Sequence, residues 1–512
     1  MTSASINVMD GGPDAFAARH VLARDARRTL DLQYYIWEGD VTGSTLLAEV
    51  IAAADRGVKV RMLLDDAPSS GFVGGLTKLI LRHARAVKDT LEAGVGVVGL
   101  RLPDGGEENL RGLLKDIRSG GRDTVAAALD AHPNIEVRYF NPFRSRGLGA
   151  GLRFLEYFGD FWRLNRRMHN KAFIADRKTA VIGGRNISDK YFGYDERYNF
   201  RDLDLLVEGN AVPEIAEDFA AYWNSAQAVP VRSFWLDRPA RKNLDALRGE
   251  ITRFLEARTD RPPLADSRRR MASIRKGLIK ARAAVVSDSP HKAASPSREV
   301  AETLEDVSSG AREEVLLEHA YFIPTAREFP ALAGALDRGV RVRVLTNSVA
   351  SNDSLPTTVG YKRHRGRVVR LGADLYELRP DNRLIDLAGK GGGKSGMHTK
   401  AAVFDRKRIF VGTFNMDPRS ASLNTEIGLL VESPELASRV AKRIGKGMQA
   451  GESWRVVRDK RGGFPVAVIA PGGRIAWIDE GSARRYFNEP GTTFLQRLKL
   501  SILSWLPLDP LL

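Results

Sequence analysis

The nine residues that decide the fold are MHNKAFIAD at positions 168–176, which return as MHTKAAVFD at positions 397–405. In both copies, His and Lys are two residues apart, Asp follows five residues after Lys, and an Arg-Lys pair follows Asp. An apolar run then leads to an Asn that lies 17 residues after the His in each copy. A match of this length, with the same order of residue types, indicates an internal repeat.

Each copy is predicted to form a β-hairpin. Apolar and β-branched residues flank a short Asp-Arg-Lys break, which is the pattern of a strand, a turn and a strand. Because side chains at i and i+2 of a strand point to the same face, the His and Lys of each copy should project together. Asp176 and Asp405 open the turns, where a short carboxylate can accept hydrogen bonds from backbone N–H groups.

The sequence around each hairpin also repeats. A strand, a helix and a strand follow one another in each half at the spacing of a βαβ unit with parallel strands. These predicted elements are 30–37, 44–55 and 58–64 in the first half and 315–322, 328–337 and 338–345 in the second, followed by strands at 135–140, 205–208, 373–378 and 429–432 and helices at 213–223 and 434–444. The chain is therefore predicted to be a duplicated α/β domain.

The repeat sets the predicted domain boundaries. They are 14–237 for the first unit, 238–310 for a linker, 311–490 for the second unit and 491–512 for a tail. The first unit carries extra sequence between Asp66 and Pro133 that has no counterpart in the second.

The linker is predicted to be polar and helical, with Arg268-Arg269-Arg270 at the centre of a basic stretch. Two interpretations stay open for these charges: a solvated charged helix, or a surface that faces the phosphates of lipid head groups.

The tail is predicted to form an amphipathic helix too short to cross a bilayer. Its apolar face would contain Phe494, Leu495, Leu498, Ile502, Trp505 and Leu506. Such a helix can lie in a membrane interface or pack on the core of its own protein, and the sequence favours neither.

Composition narrows the range of partners. The chain has 512 residues, of which 43% are apolar, so it can form two or more domains with substantial cores. Its formal net charge of +16 favours an anionic partner: nucleic acid, an acidic membrane surface or a phosphorylated substrate. It contains no cysteine, which excludes disulfides and thiolate metal sites. No apolar run reaches the length of a transmembrane helix, and residues 1–13 lack the apolar core of a signal peptide.

Of the eight histidines, only His169 and His398 have matched surroundings. A pseudo-twofold axis could bring the two imidazoles face to face across one phosphorus atom. One would attack and form a phosphohistidine, while the other would protonate the leaving alcohol and then deprotonate the incoming one.

Four further residues could hold the phosphate in such a reaction. Lys171 and Lys400 would bind non-bridging oxygens as their negative charge grows in the transition state. Asn186 and Asn415 can donate hydrogen bonds to the same oxygens. The two lysines supply the required positive charge, so we predict no metal and no other cofactor.

Each imidazole also needs a partner on its second nitrogen to fix the tautomer. Aligning the two LLVE strands places Asp202 at the position of Glu426. These carboxylates are the candidates for orienting His169 and His398, and an ordinary role at a strand edge is the alternative.

These residues resemble the phospholipase D superfamily, whose signature is a paired His-x-Lys-x4-Asp motif. The stretches LQYYIW at 32–37, 168–186, NMDPRS at 415–420 and the terminal 494–512 look like the bacterial cardiolipin synthase branch, closest to the type C enzymes. The resemblance implies two α/β/α halves that share one central active site. It assigns the catalytic group to His169, Lys171, Asp176, His398, Lys400 and Asp405, with His169 as nucleophile, His398 as acid and base, and Asn186 and Asn415 binding phosphate.

The resemblance implies a phosphatidyltransferase of the cardiolipin synthase type, peripheral to the bacterial inner membrane. Its expected partners are phosphatidylglycerol, with phosphatidylethanolamine as a second candidate, and an anionic membrane surface. Three alternatives are a hydrolytic phospholipase D that releases phosphatidic acid, a metal-independent phosphodiesterase or nuclease, and a silent membrane-binding protein. Nucleic acid is disfavoured because the chain shows no platform of stacking aromatics, and the intact paired motifs argue against a silent protein.

Overall fold

The computed structural model describes residues 1–66, 124–145, 150–234, 241–385, 393–459 and 475–503. Most of the first-half extra sequence therefore lies outside the described residues, as do Trp505 and Leu506 of the tail.

The described strands are β1 Thr2–Met9, β2 Thr29–Tyr34, β3 Lys59–Asp65, β4 Ile135–Phe140, β5 Ala172–Ala175, β6 Thr179–Gly183, β7 Tyr198–Arg201, β8 Asp204–Gly209, β9 Ala228–Pro230, β10 Ile279–Ser287, β11 Glu314–His319, β12 Arg341–Asn347, β13 Asp374–Leu378, β14 Lys394–Met397, β15 Lys400–Phe404, β16 Arg408–Gly412, β17 Ile427–Glu432, β18 Ser453–Arg458, β19 Ile475–Asp479 and β20 Arg484–Tyr486.

The described α-helices are α1 Gly12–Asp25, α2 Val41–Asp55, α3 Thr124–Asp130, α4 Ala150–Gly159, α5 Phe161–Leu164, α6 Asp189–Phe192, α7 Ala211–Trp223, α8 Arg241–Glu256, α9 Leu264–Lys276, α10 Glu299–Ser309, α11 Glu328–Asp337, α12 Leu355–Leu371, α13 Pro418–Ser422, α14 Pro434–Gly447 and α15 Phe494–Leu503. Short 3₁₀ turns occupy Val231–Phe234 and Pro290–Ala293.

One mixed sheet of 18 strands runs through both halves. Its spatial order is β9-β4-β3-β2-β5-β6-β8-β1-β10-β17-β16-β15-β11-β12-β13-β18-β19-β20. Outward from the antiparallel β1–β10 pair, the strands of the two halves correspond one to one as far as β9 and β18. This arrangement confirms the duplicated α/β fold, and it makes the two halves one continuous sheet.

The two strands at the centre of the sheet were not predicted. β1 precedes residue 14, and β10 lies within the stretch interpreted as a helical linker. β1 consists largely of small and polar residues, and β10 interleaves Lys280 and Arg282 with apolar residues, so both resemble surface segments. They become strands because each is paired on both sides, β1 with β8 and β10, and β10 with β1 and β17.

Helices cover both faces of the sheet. On one face, α7 and α14 pack on an apolar cluster that draws on both halves, including Val207, Ile215, Val431 and Val440. On the other face each half has its own cluster, under α1 and α2 in the first half and under α10–α12 in the second. The shared cluster holds the halves in one fixed relation, because both bury apolar surface against it.

The contacts of the basic linker favour the interpretation of a solvated charged helix. Helix α9 packs along α1, and its arginines form ion pairs: Arg268 with Asp25, Arg270 with Asp14, and Arg269 with a carboxylate on its own helix. Carboxylates therefore already engage the charges that a phosphate-facing surface would need, as expected of a solvated charged helix.

Candidate active site

The two predicted hairpins are present as β5–β6 and β15–β16. The turns at 175–178 and 404–407 place their central residues Asp176 and Arg177 at φ 53° and 54°, and Asp405 and Arg406 at φ 49° and 51°. Positive φ at both central residues defines the turn that matches the twist of a hairpin, and Asp tolerates this conformation better than most residues.

Each turn carboxylate ties the hairpin to the strand beside it. Asp176 accepts hydrogen bonds of 2.7–3.1 Å from the backbone N–H groups of residues 27–29. Asp405 accepts bonds of 2.8–3.2 Å from those of residues 312–314. The strand between Lys and Asp spans about 16 Å at 3.3 Å per residue. This geometry places Asp176 and Asp405 at the far end of each hairpin from His and Lys, where they hold the turn, so a direct catalytic role for them stays a prediction.

Replacing Asp405 should therefore lower stability more than activity. We expect Asp405→Ala to lower the free energy of unfolding by about 2–3 kcal/mol, because it loses charge-assisted bonds and tolerates positive φ poorly. Asp405→Asn, which keeps an acceptor oxygen, should cost about 1 kcal/mol. The measurement is urea unfolding, with Lys407→Ala in the same turn as the control.

The pH dependence provides a second check on Asp405. Burial opposes ionisation, but bonds from Glu314, Glu313 and Arg312 N–H groups leave the pKa of Asp405 below its ordinary 3.8. Its stabilisation is therefore present above that value and is lost as the pH falls through the lower folded pKa. A difference between wild type and Asp405→Asn that persisted unchanged below pH 3 would contradict this assignment.

The two histidines are each oriented by a carboxylate from the other half. His169 Nδ1 lies 2.9 Å from Glu426 Oε2 and 3.1 Å from Oε1. His398 Nδ1 lies 2.8 Å from Asp202 Oδ2. The sequence alignment selected this pair of carboxylates, and the structure shows that the pairing is crossed. With Nδ1–H donated to a carboxylate, Nε2 of each ring carries the free lone pair.

The backbone crosses between the halves at the same place. His169 N donates to Thr425 O at 2.9 Å, and His398 N donates to Arg201 O at 2.8 Å. The separate two-stranded sheet of β7 and β14 continues the second of these contacts. Each histidine is thus held through both its backbone and its ring by the opposite half.

Both histidines and both lysines act on one another electrostatically. Burial lowers the pKa of His169 well below its ordinary value, and the charges of Lys171 and Lys400 lower it further. Burial and the same two lysines lower the pKa of His398 in the same way. Together with the crossed contacts of the two rings, this mutual influence places the four side chains in one site. The two histidines are 7% and 6% exposed, so a narrow opening reaches them.

The lysines are buried beside the histidine backbone. Lys171 Nζ donates to His169 O at 2.7 Å, and Lys400 Nζ donates to His398 O. Burial lowers the pKa of Lys171 to about 7 and that of Lys400 to about 8. Each ammonium group therefore titrates near neutral pH, and a bound anion would stabilise its charged form.

The pKa values of the two orienting carboxylates are shifted in the opposite direction, upwards. Burial raises the pKa of Glu426 to about 7, although the positive charge of Lys171 opposes the shift. Burial also raises the pKa of Asp202, with Lys400 opposing. Near neutrality, Glu426 is divided between its ionised and protonated forms.

The two asparagines occupy matching positions but have different contacts. Asn186 Nδ2 donates to Tyr191 Oη at 3.0 Å, and its Oδ1 accepts from Ile36 N at 3.2 Å. Asn415 Oδ1 is buried without a hydrogen-bond partner among the described residues. Their binding of phosphate stays a prediction, and the amide of Asn415 is the less constrained of the two.

Several site residues were not predicted from the sequence. Ser420 Oγ donates to Glu426 Oε1 at 2.7 Å. Asp288 Oδ2 accepts from Glu426 N at 3.1 Å and from the fully buried Lys292 at 2.8 Å. Ser420 lies within the NMDPRS stretch, which provided a signal, whereas the Asp288–Lys292 pair lies in the supposed linker and provided none.

Aromatic rings line the two imidazoles. Tyr35 contacts His169 edge-on with ring centroids 5.3 Å apart. Tyr191 and Phe200 lie 5.0 and 5.3 Å from the His398 ring. These rings exclude water around the imidazoles and strengthen the electrostatic interactions there.

Comparison with known proteins agrees with this geometry. The family model described as "Cardiolipin synthase, PLD-like domain" matches residues 22–223 and 306–447. The chain is 34% identical to cardiolipin synthase C of Escherichia coli K12, over 98% of this chain and 94% of that protein. It is 23% identical to cardiolipin synthase B of the same strain, over 83% and 76%.

Among solved structures, the chain superposes on a phosphatidylserine synthase of Haemophilus influenzae Rd KW20 with a TM-score of 0.52 and 15% identity, covering 87% of this chain and 86% of that one. This likeness shows a shared fold. Together with the family model and the near full-length match at 34% identity, it shows that the chain belongs to the cardiolipin synthase family of phospholipase D-like proteins.

Proposed function

We propose that this protein is a phosphatidyltransferase that makes cardiolipin through a phosphohistidine intermediate. The observation that supports it most directly is the crossed pair of imidazole–carboxylate contacts, His169 with Glu426 and His398 with Asp202, which leaves Nε2 of each ring outside these contacts. A cardiolipin synthase with 34% identity over nearly the whole chain supports the substrate class.

In the first step, neutral His169 attacks the phosphorus of a phosphatidylglycerol molecule. An N–P bond forms, and the P–O bond to the glycerol head group breaks. His398 donates its Nε2 proton to the leaving glycerol oxygen. Because the pKa of His398 is low in the free enzyme, the bound phosphodiester must raise it, as a nearby negative charge does.

In the second step, the hydroxyl of another phosphatidylglycerol head group attacks the phosphohistidine. His398 accepts the hydroxyl proton, a P–O bond forms, the N–P bond breaks, and His169 is regenerated. Lys171, Lys400 and the two asparagines would hold the non-bridging oxygens during both steps. Attack by water instead would release phosphatidic acid, so exclusion of water decides between transfer and hydrolysis.

The pKa values predict a narrow pH optimum for kcat/KM near pH 7. On the acid side, activity should fall as Glu426, with its pKa of about 7, becomes protonated and no longer accepts the His169 proton. On the alkaline side, it should fall as Lys171 and Lys400, with pKa values of about 7 and 8, lose the charge that binds phosphate. Steady-state rates from pH 5.5 to 9.5 check this shape.

The alkaline limb offers a sharper check. Bound phosphodiester stabilises the ammonium groups, so the limb of kcat should lie at higher pH than the limb of kcat/KM. A flat profile over this range, or coincident limbs for both parameters, would count against the lysine assignment.

Product analysis tests the proposed function. Purified protein is incubated with phosphatidylglycerol vesicles, with and without phosphatidylethanolamine and with EDTA, and the lipids are identified by mass spectrometry. Cardiolipin with stoichiometric glycerol supports the proposal; ethanolamine release identifies phosphatidylethanolamine as a phosphatidyl donor. Phosphatidic acid alone would favour the hydrolase, and cleavage of single-stranded DNA with no lipid product would favour the nuclease.

The tail supports a peripheral position at the bacterial inner membrane. None of the described helices is both long and apolar enough to span a bilayer. Helix α15 instead turns Leu500 towards the protein, beside α12, and leaves Phe494, Leu495, Leu498 and Ile502 exposed. We infer that this apolar face lies in the membrane interface.

A further inference from the structure

A second exposed apolar surface lies where α4 meets α5. Leu155, Phe158 and Trp162 are 65%, 59% and 58% exposed. Leu155 and Phe158 share one face of α4 because they are three residues apart. We call these three residues the apolar wedge. Large apolar side chains grouped on a surface mark a docking site more often than single ones do.

Topology places the wedge at the rim of the active site. Strands β2, β3 and β4 are parallel, and the segment that holds α4 and α5 leaves the carboxyl end of β4. The segment then leads to His169, just before β5. Because β5 runs antiparallel to β2, the start of β5 lies at the same edge of the sheet as the carboxyl ends of β2, β3 and β4. Only four residues, 165–168, separate the end of α5 from His169, so the wedge is linked closely to the histidine.

The second half also contacts the base of the wedge. Arg419 Nη2 donates to Asn165 O at 2.9 Å, immediately after α5. The charge of Arg419 lowers the pKa of His169, so the same side chain is close enough to the imidazole to affect it. The wedge and the catalytic opening are therefore parts of one rim.

The wedge is held rigidly. Glu156 accepts from the backbone N–H groups of Arg144 and Ser145 at 2.7 Å, and from Arg163 Nη2 at 2.8 Å. Asn141 Nδ2 donates to Arg163 O at 2.8 Å. A fixed wedge binds without losing much conformational entropy, which favours its use as a docking element.

Charge beside the wedge indicates the kind of surface that it meets. The side chain of Arg144 is 80% exposed and, among the described residues, makes only a long contact of 3.9 Å, from Nη1 to Asp160 Oδ2, and the chain as a whole carries +16. Cationic side chains next to exposed Trp and Phe are the combination that favours an anionic lipid interface. A protein partner would explain the apolar residues but not their position beside a site that receives lipids.

We propose that the apolar wedge inserts into the interfacial layer of an anionic phospholipid bilayer and brings the catalytic opening against the lipid head groups. This inference rests on the proposed function, since it takes the substrate to be a membrane lipid. It assigns to Leu155, Phe158 and Trp162 a role distinct from that of the tail helix: they position the active site on the membrane, while α15 adds a second contact.

The absence of cysteine makes the test direct. Single-cysteine variants Phe158→Cys and Trp162→Cys are labelled with an environment-sensitive fluorophore and mixed with phosphatidylglycerol vesicles. Labels at both positions should shift to the blue and be quenched by lipids that carry a nitroxide near the head group. Lys178→Cys, at an exposed residue in the turn at the far end of the β5–β6 hairpin from His169, is the control.

Activity gives the second readout. Phe158→Ser/Trp162→Ser should lose at least about tenfold activity on vesicles, and should retain wild-type activity within about twofold on short-chain phosphatidylglycerol dissolved as monomers. Equal losses on both substrates would overturn the docking role. Labels at 158 and 162 that stay unshifted on vesicles that bind the protein would also overturn it, and concentration-dependent self-association lost in the double variant would assign the surface to a second copy of the chain.

The two proposals fail in distinguishable ways. Insertion of the wedge without any cardiolipin product would leave the docking inference standing and reject the transferase. Cardiolipin synthesis without insertion would do the reverse.

Discussion

His169→Ala is expected to lower kcat by at least about 10⁴-fold and to abolish the phosphoenzyme. His398, the other imidazole of the pair, is held by Asp202 and does not occupy the position of His169. Removal of a covalent nucleophile leaves only the binding and electrostatic parts of catalysis. The measurement is labelling with phosphatidylglycerol that carries ³²P, quenched in detergent at alkaline pH because the N–P bond of a phosphohistidine is labile in acid, in parallel with steady-state rates.

His398→Ala is the comparison that assigns the two roles. It should lower kcat by about 10²–10⁴-fold, the contribution of a positioned acid and base, and the labelled phosphoenzyme should accumulate because its breakdown needs proton removal from the acceptor. If the label instead disappeared in His398→Ala and persisted in His169→Ala, the two roles would be reversed. Fluorescence and thermal unfolding of both variants check that each is folded.

Glu426→Gln is expected to have the second largest effect, about 10²–10⁴-fold on kcat, comparable to loss of the orienting carboxylate in a catalytic triad. An amide at this position can present its NH₂ to Nδ1, which stabilises the tautomer with the proton on Nε2, where the lone pair is needed. Because Glu426 contacts His169, the affected step should be formation of the phosphoenzyme.

Asp202→Asn provides the matched variant and tests the crossed pairing itself. Asp202 contacts His398, so its substitution should slow breakdown of the phosphoenzyme and leave the label in place. Rapid-quench kinetics separates the two steps. If Asp202→Asn blocked formation and Glu426→Gln blocked breakdown, each carboxylate would serve the histidine of its own half, and the crossed pairing would be wrong in solution.

The local elements that the sequence predicted well are those whose signal is short-range. The hairpin at Ala172–Gly183 follows from apolar runs around an Asp-Arg-Lys turn, and the helix predicted at 328–337 has the same bounds in the structure. The candidate carboxylates Asp202 and Glu426 were found because a duplication lets one half serve as a template for the other.

The elements that were missed depend on contacts between distant parts of the chain. β1 and β10 are strands because both of their edges are paired, which no local pattern records. The crossed partners of His169 and His398 are 257 and 196 residues away along the chain. Asp176 and Asp405 were grouped with the catalytic residues through their membership of a motif, although their chemistry already suggested a turn.

The central position of β1 has a consequence for biosynthesis. One edge of β1 can pair with β8 as soon as the first half has been synthesised. The other edge stays unpaired until β10, at residues 279–287, has been synthesised. Until then the nascent chain presents an open strand edge next to a large apolar face, a surface prone to pairing with other chains. Slowing of translation just after residue 287, or protection by a chaperone in that interval, should therefore affect the yield of soluble protein more than the same change placed elsewhere.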